Sequence, residues 1–325
     1  MKKVIICLVG LVLGNLVFAG KSYGDGNIKK ISAGYDFTVA LKNDGTVVAW
    51  GDNLDGQCNI PDGLKDVKDI AAGQYHTVAL KNDGEVIAWG PNNNGQCDIP
   101  DDMEEVTAIA TGGHHTVVLT KNGEVKAWGA QWNNCGQCDV PDEAKTGVTA
   151  IAAGALHTVA LKDGKVVCWG DNTYKQCDVP DDAKTGVTAI AAGGNHTVAL
   201  KDGGTVVCWG DVNHPGDIPK PEGLSEVTKI AAGGYHTVAL RNGAVVCWGN
   251  NYYGQCAVPE GLSGVIDISA GLNFTVVLKE DGTVIAWGEN THGQGNCQIK
   301  GDMDGDYVVD ITDVIRVLRK AIGLD

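Results

Sequence analysis

Asp302, Asp304, Asp306, Asp310 and Asp313 stand at positions 1, 3, 5, 9 and 12 of a loop in which the Val308 carbonyl takes position 7. A hard divalent cation needs roughly six to eight oxygens converging on one point, and a calcium loop supplies them at this spacing. Calcium is the cofactor these residues imply. Position 6, usually glycine for the sharp turn, is Tyr307, which should weaken the site because a bulky side chain resists positive φ. Ile311, Val314, Ile315, Leu318 and Ile322 follow at helical spacing on one face.

Two other sets of residues could do chemistry. His76, His115, His157, His196 and His236 could move protons or bind metal. Cys135 and Cys138, in "WNNCGQC", have the C-x-x-C spacing of redox pairs and of half a zinc site. Each histidine, however, sits in the same context, as in "HTVALKNDGEVIAWG" (76–90). Phe37 and Phe274 take the histidine's place in the first and last occurrences. Phenylalanine neither ligates a metal nor transfers a proton, so the position asks for a flat packed ring with one imidazole hydrogen bond. No convergent catalytic constellation stands out, and the expectation is that the chain is not an enzyme.

The context is one unit of a repeat. Trp50, Trp89, Trp128, Trp169, Trp209, Trp248 and Trp287 each precede glycine, at steps of 39, 39, 41, 40, 39 and 39 residues. A fixed period near forty, seven times over, is a repeat architecture. Each unit reads as four short strands, "VTAIAAG", "HTVALK", "VVCWG" and "QCDVP", with "KNDG" as the hairpin turn between the second and third. Four-stranded units, seven of them, predict an all-β, seven-bladed β-propeller, with an open β-solenoid as the alternative. The tryptophans are its packing anchors. The predicted divisions are an export signal over 1–19, the propeller over 20–300 and a short calcium loop plus helix over 301–325.

The signal rests on Lys2 and Lys3, the apolar run "VIICLVGLVLGNLVF" and "VFA" before Gly20. No second apolar run follows, so no membrane span is expected after its removal, and the location is extracellular. The 40 acidic against 25 basic residues give a net charge of −15, which repels phosphate backbones and makes nucleic acid an unsuitable partner.

Export permits disulfides. Cys58, Cys97, Cys138, Cys177, Cys256 and Cys297 share one repeat position. On neighbouring blades they are out of bridging reach and read as small buried apolar residues. Cys168, Cys208 and Cys247 precede tryptophans. Within one hairpin Cys168 faces Cys177 and Cys247 faces Cys256, which predicts two bridges; unit five lacks the second cysteine and leaves Cys208 unpaired. Cys135 and Cys138 read as a local disulfide or as two thiols.

In an up-and-down blade the first-to-second and third-to-fourth connections emerge on one side. The first set carries Tyr35, Tyr75, His114, Leu156 and Tyr235; the second carries Trp132, Tyr174, His214, Tyr252, Tyr253 and His292. Six of the eight tyrosines and the one tryptophan outside the repeat pattern thus share a predicted face. Aromatics that packing does not require suit a surface for an extracellular protein or glycan.

The pattern "AAGxxHTVAL…DGxVxxWGxNxxGQ" over residues 28–300 resembles the repeat of the regulator of chromosome condensation family. Its compact form is most similar to secreted bacterial members, a type that includes a seven-bladed inhibitor of β-lactamase. The tail resembles half of a dockerin, which implies docking to a cohesin-like scaffold through Ile311 and Thr312; the second calcium segment of that family is not seen before Asp325. These resemblances imply a secreted, non-catalytic protein-interaction propeller tethered by a calcium-binding tail. The alternatives are a carbohydrate-binding or polysaccharide-degrading component of such an assembly, or an inhibitor of a secreted enzyme.

Overall fold

Short runs of Val, Ile, Thr and Trp, closed off by Gly, Asn and Asp, leave the chain few options but strands and tight turns. The computed structural model describes residues 17–18, 28–211, 217 and 220–295, and in it each of the seven repeats is an antiparallel three-stranded sheet. The first is built from Ile28–Ala33, Phe37–Lys42 and Val47–Gly51. The last is built from Val265–Ala270, Phe274–Lys279 and Val284–Gly288.

The first strands line the hub. Each contacts the first strand of the next repeat, and that of repeat seven contacts that of repeat one. Backbone bonds run round the hub from blade to blade, such as Gln74 N to Gly112 O at 3.1 Å and Gly234 N to Gly271 O at 3.0 Å. Leu272 N donates to Tyr35 O at 3.1 Å and closes the circle. The ends of all seven first strands ring a central cavity of about 110 Å³. The architecture is a closed seven-bladed ring, and an open solenoid is ruled out.

Each middle strand lies between two neighbouring blades and is buried on both faces, which is why "TVAL" reads as a continuous apolar run. In blade one, Phe37, Val39 and Leu41 pack with Val67, Ile70 and Trp89 of blade two. Ala40 of the same strand packs the other way, with Phe274, Val276 and Leu278 of blade seven. Seven such apolar clusters occur among the described residues, one per seam, in place of a single core.

The expected fourth strand does not form. "QCDVP" is irregular, because its residues have other partners. Gly56 turns into the left-handed region at φ +80°, and Asn53 Oδ1 takes the Cys58 N–H at 2.9 Å. The Gln57 carbonyl points across the seam to the next blade. Val17 and Phe18, at the end of the predicted export segment, pair antiparallel with Trp287 and Ala286 on the outer strand of blade seven. The remainder of the export segment, His214, Cys297 and the whole tail from 301 lie outside the described residues. So do the calcium loop Asp302, Asp304, Asp306, Val308, Asp310 and Asp313 and its predicted helix.

Candidate functional site

The histidines are the first candidates, and their geometry is structural. His76 Nε2 lies 2.9 Å from Thr116 Oγ1 of the next blade, and that hydroxyl donates its one proton to Gln96 O at 2.8 Å. Thr116 is therefore the acceptor, and His76 is the Nε2–H tautomer. The same relay joins His115 to Thr158, His157 to Thr197 and His236 to Thr275. Nδ1 of His76, His115, His157 and His236 is buried without a partner. Burial pushes all five down, His196 to about 4 and the others to about 3, so they are neutral near pH 7. The rings explain the "AG" glycines too. A Cβ on Gly112 would lie 2.1 Å from His115 Cε1, and one on Gly34 would lie 2.2 Å from Phe37 Cε1.

The tryptophans complete the seam. Trp89 Nε1 and Thr77 Oγ1 both donate to Gln57 O, at 3.0 and 2.8 Å. Trp50 and Thr38 donate to Gln294 O, which joins blade seven to blade one. The glycine after each tryptophan holds the chain close to its neighbour: Gly51 has φ +108°, and a Cβ there would lie 2.6 Å from Asp36 O. Among the described residues no three His, Cys, Asp or Glu side chains gather as a metal site.

The two sets of variable connections do lie together. Asp52 N donates to Asp36 O at 2.8 Å, Ala130 N to His114 O at 2.7 Å and Asn250 N to Tyr235 O at 2.8 Å, so within a blade the first-to-second and third-to-fourth loops are bonded side by side. Tyr35, Gln74 and Leu272 line the central cavity, so it opens on this face. The face is held by the loops' own side chains. Gln57 Oε1 accepts from Asp55 N and its Nε2 donates to Asp52, a pattern repeated by Gln176 with Tyr174 N and Asp171.

On this face the structure brings some of the predicted aromatics together and leaves others apart. Tyr75 lies 5.5 Å from Tyr35 and stacks on His114 at 5.1 Å, forming a row across blades one to three. Asn94 links that row to Trp132: its Nδ2 lies 3.4 Å from His114 Nδ1, and its Oδ1 accepts from Trp132 N at 3.1 Å. The Trp132 indole N–H is held by Asn93 O at 2.7 Å, yet the side chain remains 80% exposed. Tyr252 and Tyr253 of blade six pack edge to face at 5.0 Å, and Tyr252 is 84% exposed. Tyr174 and Tyr235 are also exposed. Leu54, 87% exposed at the tip of blade one, belongs to the same face; a lone loop leucine carries no sequence signal.

Charge distinguishes the face as well. Burial pushes the Tyr35 hydroxyl up to about 12, with Tyr75, Tyr235 and Asp36 adding to the effect. Asp36 is raised by burial and by the charge of Glu289, against the pull of His292. Asp36 and Glu289 stand where blades seven and one join: Gln294 Nε2 donates to Asp36 Oδ1 at 3.2 Å and Asn273 Nδ2 to Glu289 Oε2 at 2.9 Å.

The structure pairs Cys168 with Cys177 and Cys247 with Cys256, each at a Cα separation of 5.0 Å. Cys208 is free, and burial drives its thiol up to about 12. Cys135 and Cys138 are two thiols, Cys135 exposed. The repeat-position thiols Cys58, Cys97 and Cys138 are partly buried, Cys58 packs against the apolar cluster between blades one and two, and burial pushes all three thiols up. Cys58 Sγ donates to Asp52 O at 3.3 Å, so the sulfur acts as a weak polar link across the loop.

The Regulator of chromosome condensation (RCC1) repeat matches this chain seven times, over residues 28–57, 67–96, 106–137, 148–176, 187–214, 227–255 and 265–294. Solved structures share the fold. The CRINKLY WD40 ectodomain of the Arabidopsis thaliana receptor kinase ACR4 is 22% identical at a TM-score of 0.64, over 81% of this chain and 97% of that one. Human WBSCR16 is 20% identical at 0.60, over 80% and 86%. Prp20p of Saccharomyces cerevisiae, described with its binding to Gsp1p and histones, is 20% identical at 0.60, over 91% and 86%. Curated protein sequences give no match. Identity this low speaks for the fold alone, whereas the seven matched repeats coincide with the seven blades, and on them the chain belongs to the regulator of chromosome condensation repeat family.

Proposed function

We propose that this chain is a secreted, non-catalytic interaction propeller that captures an extracellular protein on its loop face and is tethered through a calcium-binding, dockerin-like tail. The observation that carries the reading is the set of exposed rings on a rigid scaffold: Trp132, Tyr174, Tyr235, Tyr252 and Tyr253 stand in solvent while the seams hold their loops in place. Aromatic anchors held still lose little conformational entropy on binding, which is what an interface centre needs. A secreted enzyme fits as the captured protein. The exposed indole of Trp132, its N–H already occupied, favours a second reading in which the ring stacks on a sugar.

Capture from native extracellular material tests the face. The chain from residue 20 onward should retain a partner that the Trp132→Ala, Tyr75→Ala, Tyr253→Ala triple variant releases, with both folded by circular dichroism. Retention by the triple variant together with release on altering the opposite "KNDG" turns would reverse the assignment. Calorimetry tests the tail. One calcium ion should bind through Asp302, Asp304, Asp306, the Val308 carbonyl, Asp310 and Asp313, and Asp302→Ala should abolish the heat. A calcium heat unchanged by that substitution rules the loop out.

A further inference from the structure

The two faces of the ring differ in how their charges are arranged. On the side opposite the loop face, acidic turns are neutralised where they stand: Lys81 pairs with Asp83 and Glu85, and Lys121 with Glu105. The other ion pairs among the described residues likewise join strand residues or turns of that opposite side. The described loop-face connections hold six carboxylates, Asp36, Asp52, Asp55, Asp171, Asp211 and Glu289, against one lysine, Lys175. Asp36, Asp52, Asp55, Asp171 and Glu289 take part in no ion pair among the described residues. Asp36 stands at the centre of three of them: its carbonyl accepts from Asp52 N at 2.8 Å, its carboxylate accepts from Gln294 of blade seven at 3.2 Å, and it feels the charge of both Glu289 and Asp52, beside Tyr35 at the rim of the central cavity.

We infer that the loop face docks a basic protein surface, seating Lys or Arg side chains against Tyr35, Tyr75 and Tyr235 beside Asp36, Asp52 and Glu289. The inference rests on the proposal that this face is the binding face, and adds the chemistry of the partner. A tyrosine face attracts a cation through its ring quadrupole, and a neighbouring carboxylate strengthens the attraction once water is displaced. A neutral or acidic partner would desolvate the same carboxylates with nothing to offset the loss. Phosphate-bearing surfaces are repelled outright. The uneven charge also acts at a distance, because a single-sign patch steers an oppositely charged partner toward the correct side of the ring before contact.

The test uses a fluorescein-labelled decalysine peptide, a decaglutamate peptide and cellohexaose, with binding read by anisotropy or calorimetry on the chain from residue 20 onward. The decisive comparison is between two variants of equal charge change. One is Asp36→Asn, Asp52→Asn, Glu289→Gln on the loop face. The other is Asp83→Asn, Glu105→Gln, Asp142→Asn on the opposite face. Thermal unfolding confirms that both are folded. Decalysine should bind, should weaken as salt rises from about 20 to about 150 mM as the Debye length shortens, and should lose about tenfold in affinity in the loop-face variant and less than about twofold in the other. Equal losses in both would mean diffuse attraction to net charge and would overturn the inference. Cellohexaose binding that is abolished by the aromatic triple variant but indifferent to the loop-face carboxylates would keep the binding face and overturn the basic partner. If no probe responds to either loop-face variant and the native partner is still captured, both readings fall.

Discussion

At Phe37 and Phe274 the ring position of the blade works without any nitrogen, while at His76, His115, His157 and His236 one nitrogen donates to threonine and the other has no partner. The imidazole thus gains one hydrogen bond and strands one acceptor, and the two effects roughly offset. His76→Phe should therefore cost under about 1 kcal/mol at pH 7, whereas His76→Ala, which opens a hole against Gly73, should cost about 3 kcal/mol or more. Urea unfolding measures both, and a phenylalanine variant as damaged as the alanine one would show that the bond matters more than the ring. Acid adds a second readout. The folded histidines titrate near 3 to 4, well below the unfolded value of about 6.5. Between those limits the unfolded chain takes up protons that the fold excludes, so stability falls as pH falls from about 6.5 toward about 4. Each such histidine contributes a slope of about 1.4 kcal/mol per pH unit, and His76→Phe should remove roughly a fifth of the share that comes from the five ring-position histidines. An unchanged slope would mean that the rings are not buried as neutral bases.

Within a blade, the element that sequence misreads is the one that does the joining. The strands and turns were legible because side-chain type and spacing signal them: "HTVAL" joins a β-branched threonine to an unbroken apolar "VAL", and "KNDG" is a turn. "QCDVP" takes the place of a fourth strand in the repeat, yet its Asp and Pro are poor strand formers; its work is done by the Gln carbonyl, and a backbone acceptor leaves no mark in the residue type. The "AG" glycines were legible as a repeat, though the ring each one accommodates lies three residues on and shows only in space. On the loop face the shared side could be read from connection order, but the row Tyr35, Tyr75, His114 joins residues a full repeat apart. Cysteine pairing within a hairpin was legible, since strand register sets it. The same register offers a prediction. Ala49, opposite Val39, holds in blade one the place that Cys168, opposite Val159, holds in blade four, and Cys58 corresponds to Cys177. Ala49→Cys should close a third bridge with Cys58 and stabilise by about 2 kcal/mol, as expected for so short a loop. Peptide mapping without reductant and thermal melting check it; if the introduced thiol stays free in oxidised protein, blade one does not share the register of blade four.

For the whole molecule, stability is a sum over seams, each made by consecutive repeats, with the last resting on Gln294 O meeting Thr38 and Trp50. Cutting the chain after residue 300 should leave thermal unfolding nearly unchanged. Cutting after Gly288 removes the acceptor and should lower the midpoint by several degrees and sharply raise proteolysis of blade one. Equal melting of the two truncations would mean that the seam between blades seven and one is held elsewhere.

The bond from Leu272 to Tyr35 has a further meaning. It makes the order of the blades cyclic, so that where ribosomal synthesis begins is an accident of genetics with no counterpart in the folded object. A gene rewritten to start at Val148 and to run through a short linker from Gly295 back to Ile28 should encode the same ring. The seven repeats would then be seven interchangeable origins, and the binding face could be carried intact into a host protein at whichever one lies farthest from its partner.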